Sequence, residues 1–214
     1  MRTRLFDGAV ALSAAAGAGL ELILSLAPPN PHGLGGTVLD YFSYFTLDTN
    51  VLVAVAMGCS ALAPESGAGK FFSKPGARAA LTLYILLVAL VYHFLLREAW
   101  TPHGWEKVTN FILHYVTPVL MLCNWLLISR KDGLRLMQVP GWMAFPAVYA
   151  VLVLLRGQLT GLYPYGFLNV AEIGWTASLK HIVELILAMG LAGCVMVVAA
   201  RRLPHGPLGA MPAK

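Results

Sequence analysis

Six apolar stretches, approximately 5–26, 42–63, 77–96, 111–129, 141–159 and 176–200, take up most of this chain. Each is close to the roughly 20 residues a helix needs to cross the hydrocarbon of a bilayer. Lipid offers no hydrogen-bonding partner to a sheet edge or an open loop, so such a chain folds as a bundle of helices. Composition agrees, with 58% of residues hydrophobic and 12% charged, about half the charged fraction of a soluble domain. The expectation is an all-α, polytopic membrane protein with one six-helix transmembrane domain over 1–203. The Pro- and Gly-rich 204–214 reads as a flexible tail. The first stretch is too long for a cleavable signal, since it continues past Glu21 to Leu26 before Pro28 and Pro29. Its Ala14, Ala15, Gly17, Ala18 and Gly19 read as a helix-packing surface.

Loop charges orient this bundle. Eleven cations fall at the N-terminus, the second and fourth loops and the C-terminus: Arg2, Arg4, Lys70, Lys74, Arg78, Arg130, Lys131, Arg135, Arg201, Arg202 and Lys214. The opposite side has Arg97, Lys107, Arg156 and Lys180. By the positive-inside rule both termini are expected in the cytoplasm. The net charge of +5 is therefore read as a topology signal, and no aromatic-studded basic surface argues for nucleic acid. Cys59, Cys123 and Cys194 stand singly in apolar stretches and read as free core thiols. The sequence carries no signal for an oligomeric state.

The fourth stretch, NFILHYVTPVLMLCNWLL from Asn110 to Leu127, holds an imidazole about one turn inside its start. His114 shares a helical face with Asn110, Thr117 and Met121 by three-and-four spacing. Pro118 has no N–H for the His114 carbonyl four residues back, so the helix is expected to bend there and leave that acceptor free. Counting depth along each helix gathers the other polar residues near the outer surface. Thr46, Thr49 and Asn50 open the second helix, His93 and Arg97 close the third, and Arg156 and Gln158 close the fifth; Lys180, His181 and Glu184 open the sixth. The cytoplasmic half is expected to be almost entirely apolar.

Three readings of this cluster stay open on residues alone. A threonine hydroxyl beside an imidazole is the minimum for nucleophilic catalysis, because the hydroxyl is unreactive until a base accepts its proton. His93, His114, His181, Glu184 and Asp48 offer the donor types of a zinc hydrolase. The bland alternative is interhelical hydrogen bonding, with Thr46 bonded to a preceding carbonyl and the cations snorkelling to the lipid head groups; the protein would then bind or transport lipid without chemistry. No HExxH, GxSxG or phosphate-binding glycine loop is present.

The YFTLDTN of the second helix, the LHYVTPVLMLCNWLL of the fourth and the YPYGFLNV before the sixth, in this order and spacing, resemble the androgen-induced, FAR-17a-like family of six-helix membrane proteins. The resemblance spans nearly the whole chain. It implies a threonine hydrolase of fatty acid esters of hydroxy fatty acids, with Thr46 as nucleophile, His114 as its base and neither cofactor nor metal. This chain departs from the family where Tyr115 follows the histidine, leaving Thr117 alone ahead of Pro118. Its partners would be a lipid ester and the membrane lipids. The Ala- and Gly-rich composition points to a bacterial chain, hence the cytoplasmic (inner) membrane, with the site opening outward. Asn50, Tyr163 and backbone N–H groups freed near helix ends are candidate oxyanion donors, and His93, His181 and Glu184 complete the expected substrate surround. A carboxylate on the substrate would need a cation, expected from Arg156 or Arg97 ahead of Lys180 because a guanidinium holds a carboxylate through two bonds.

Overall fold

The computed structural model describes residues 2–28 and 33–203, and the described residues form helices and turns with no strand. The expected tail at 204–214 lies outside them. Six helical runs are long and apolar enough to span a membrane: Thr3–Leu26, Phe45–Leu62, Pro75–Leu96, Trp105–Leu127, Leu136–Thr160 and Val170–Arg202. Their outward faces carry exposed Leu12, Ile23, Val55, Leu90, Val119, Leu152 and Leu187, the side chains a lipid environment solvates. The protein is thus a multi-pass integral membrane protein.

The helices are α1 (Arg2–Leu26), α2 (Gly33–Tyr41), α3 (Phe45–Leu62), α4 (Gly67–Phe72), α5 (Pro75–Val91), α6 (Trp105–Phe111), α7 (Thr117–Leu127), α8 (Val139–Trp142), α9 (Ala144–Thr160) and α10 (Val170–Arg202). Two π-helical turns continue spans: Tyr92–Leu96 after α5, and Ile112–Val116 between α6 and α7. The second span starts at Phe45, three residues later than its apolar pattern predicts, because α2 is a separate helix and Tyr44 is extended before the chain turns inward. The fourth starts six residues earlier, at Trp105, where Gly104 turns the chain at φ 51°. The sixth starts at Val170, capped by the Asn169 side chain on the Ala171 N–H, and is broken locally at Gly174 (φ 78°, ψ 162°).

Ahead of Pro118 the backbone departs from the regular α-helix as a π turn. The Thr117 N–H bonds to the Ile112 carbonyl, five residues back, so the segment ahead of Pro118 widens into a π turn. The Leu113 carbonyl loses its usual α-helical donor, and Asn50 Nδ2 reaches it at 3.5 Å. Helix α1 seats this turn: a Cβ on Gly17 would stand 2.9 Å from Ile112 Cγ2. The small-residue surface of the first helix therefore sets the position of the histidine-bearing turn.

The half of the bundle expected to be cytoplasmic is not apolar, contrary to expectation. Arg78, read from sequence as a loop cation, is buried in α5 and paired in fork geometry with Asp7 of α1, at 2.8 and 2.7 Å. Asn124 of α7 accepts from Arg78 at 3.1 Å and donates to Asp7 at 2.8 Å. The Phe72 carbonyl takes the remaining Arg78 Nε–H at 2.9 Å. A buried ion pair is stable only when both charges meet partners on every side, and this one joins three spans at the end remote from Thr46. Lys131, another counted loop cation, is also buried, donating to the Leu126 and Ser129 carbonyls.

Candidate active site

Thr46 is the second residue of α3, and His114 lies midway along the π turn before α7. Both are 9% exposed. Thr46 Oγ1 stands 3.4 Å from His114 Nε2, and His114 Nδ1 stands 3.0 Å from the Asn110 carbonyl oxygen. A carbonyl can only accept, so Nδ1 carries the proton in the neutral ring and Nε2 presents its lone pair to the hydroxyl. Tyr92, from the other π turn, stacks on the imidazole with centroids 3.9 Å apart. Its hydroxyl receives the Asn110 side-chain amide. Ring tautomer and ring plane are thereby fixed by backbone and neighbour, as a triad acid fixes them elsewhere.

Asn50 lies one turn beyond Thr46 and is fully buried. Its amide donates to the Thr46 carbonyl at 2.8 Å and to Leu113, so its donors are committed to backbone and do not face a reacting group. Tyr163 is also elsewhere: its ring fills the space over Gly157 and its hydroxyl takes a bond from Gln158. Tyr165, two residues on, is the tyrosine turned inward, with its hydroxyl beside the Thr46 side chain and backbone N–H. Burial pushes its pKa up to about 12, so it stays an O–H donor. The motif YPYG contains both rings; only the path of the loop selects Tyr165.

Two spaces meet at Thr46. A cleft of about 680 Å³ is lined by Glu21, Asp40, Tyr44, Tyr92, Asn110 and His114 among others, and an apolar pocket is lined by Phe45, Leu87, Val91, Leu185, Ile186 and Met189 among others. Thr46, Leu96 and Tyr165 belong to both. The cleft lies within the roughly 300–1,000 Å³ range of small-molecule sites. The Thr46 residue thus stands at the junction of a polar and an apolar space.

The remaining residues expected at the site lie outside these linings. His93 Nδ1 is 3.2 Å from the Tyr115 hydroxyl. Arg97 is exposed and paired with Glu98. Lys180 and His181 pair with Glu184 on α10, at 3.8 and 3.4 Å, Lys180 and Glu184 being exposed. Arg156 is bound to Asp40 and to the Leu162 carbonyl. Among the described residues no three of His, Cys, Asp and Glu converge as metal ligands. Tyr165, Tyr92 and Glu21 are contributors that spacing along single helices does not reveal, since each acts across a helix boundary. No family model, no curated protein and no solved structure matches this chain.

Proposed function

We propose that this chain is a membrane-embedded carboxylic ester hydrolase of the threonine type, acting on a fatty acyl ester of a lipid. The single observation that carries the reading is the Thr46–His114 pair, its imidazole tautomer set by Asn110, at the junction of a polar cleft and an apolar pocket. The resemblance to the androgen-induced, FAR-17a-like family names the same two residues. On this reading His114 Nε2 takes the hydroxyl proton as Thr46 Oγ1 attacks the ester carbonyl carbon. The developing oxyanion meets the Tyr165 O–H, whose oxygen is held by the Thr46 N–H in the first turn of α3. The imidazolium then protonates the departing alcohol, leaving an acyl-threonine. Water enters, gives a proton to His114 and releases the fatty acid, returning the hydroxyl to Thr46.

The charge asymmetry of the loops supports both termini in the cytoplasm with the cleft opening to the outer side, and the Ala- and Gly-rich composition supports a bacterial inner membrane. Hydrolysis of a panel of lipid esters in detergent by wild type, Thr46→Ala, His114→Ala and the double variant tests the reading. Each single change should lower kcat by at least about a thousandfold, and the double should be no worse, because the residues act as one unit. Full activity in Thr46→Ala would remove Thr46 from the mechanism.

A further inference from the structure

The cleft beside Thr46 is lined by carboxylates, and among its described lining residues there is no lysine or arginine. Glu21 and Asp40 both face it. The Arg156 guanidinium is paired with Asp40, and its other amino group donates to the Leu162 carbonyl at 3.1 Å. Glu21 is held by the Thr109 hydroxyl at 2.6 Å, a bond that fixes the carboxylate without bringing positive charge. Ser25, Thr37, Tyr41, Tyr44 and Asn110 contribute uncharged polar groups. The carboxylates accept hydrogen bonds and offer none, so they suit a ligand that donates. With Asp40 compensated by Arg156, an incoming carboxylate would meet the charge of Glu21 in a half-buried site, where repulsion is only partly screened.

From this arrangement, and resting on the hydrolase reading above, we infer that the alcohol half of the substrate is uncharged and bears free hydroxyls, as in a glycerol monoester, and that an alcohol carrying a free carboxylate is selected against. The ester lies over Thr46, and the first carbons of the acyl chain enter the apolar pocket of about 70 Å³. The alcohol's hydroxyls donate to Glu21 and its neighbours. The guanidinium anchor expected from the sequence is absent from this surface, because Arg97 and Lys180 are outside the cleft and Arg156 is spent on Asp40.

The test compares kcat/KM for three esters of one fatty acid in a nonionic detergent: its monoacylglycerol, its ester of a hydroxy fatty acid, and the methyl ester of the latter. Wild type should prefer the monoacylglycerol and should cleave the methyl ester at least about tenfold faster than the free acid. Glu21→Gln should narrow that last gap. Free acid cleaved as fast as its methyl ester in wild type, a comparison that needs no variant, would overturn the inference and leave the hydrolase reading standing. A monoacylglycerol slower than the methyl ester would overturn the polyol assignment, as would a gap unchanged in folded Glu21→Gln protein. Cleavage of none of the three would instead remove the hydrolase reading, and the inference with it.

Discussion

His114 Nδ1 lies 3.0 Å from the carbonyl oxygen of Asn110, one turn earlier in the same span. That contact leaves Nε2 as the free lone pair, and Nε2 is the nitrogen that faces Thr46. The π turn, which carries the ring, and the end of α6, which carries the orienting carbonyl, together set the Thr46–His114 geometry.

Gly17→Ala tests this dependence. The added methyl would stand 2.9 Å from Ile112 and 3.0 Å from Leu113, forcing the π turn away from α1. Overpacking of this kind costs about 1–3 kcal/mol, and a displacement of about 1 Å at reacting groups can cost on the order of a hundredfold in rate. Expected are a lower unfolding temperature in detergent and a larger fall in kcat than in substrate affinity. Unchanged kcat in the folded variant would show that α1 does not position His114.

Tyr165→Phe removes an O–H beside Thr46 and leaves the ring in place. If that hydroxyl stabilises the oxyanion, kcat should fall on the order of a hundred- to a thousandfold with little change in KM. Tyr163→Phe should be near neutral. Because burial holds Tyr165 near pKa 12, above the usual value of about 10, its neutral donor form persists as pH rises. A pH–rate profile should therefore show no loss from tyrosine ionisation up to about pH 10, and a fall near pH 9 present in wild type but absent from Tyr165→Phe would contradict this.

How far the sequence carries toward this site can be seen residue by residue. The six spans are legible because bilayer thickness sets their length, and Thr46 and His114 are paired by counting depth along two helices. Tyr165 is hidden behind Tyr163, since loop residues follow no period and both rings are plausible until the backbone path is known. Arg78 reads as a loop cation because it stands in the first turn of an apolar run. Its partners Asp7 and Asn124 lie on two other spans, and no spacing rule links the three. Pro118 correctly marks a helix defect, but hydrogen bonding resolves it upstream as a π turn that frees Leu113.

The Arg78–Asp7–Asn124 cluster should govern stability without touching chemistry, as it lies about 15 Å along the helices from the level of Thr46. Arg78→Met leaves Asp7 buried without its counter-charge and should destabilise by about 3–5 kcal/mol. Adding Asp7→Leu to that variant should recover much of the loss, since two apolar residues can replace a buried pair. Equilibrium unfolding in detergent measures both. Activity per folded molecule should stay at the wild-type level, and a specific loss of kcat at full folding would show coupling between the two halves of the bundle.

The nucleophile itself is the most direct point of attack on the account. Purified protein treated with an alkyl fluorophosphonate and digested for mass spectrometry should carry one adduct per chain, on the peptide containing Thr46, and His114→Ala should lose it. A preparation that hydrolyses lipid esters yet is labelled on another residue, or labelled equally after Thr46→Ala, would contradict the assignment of Thr46.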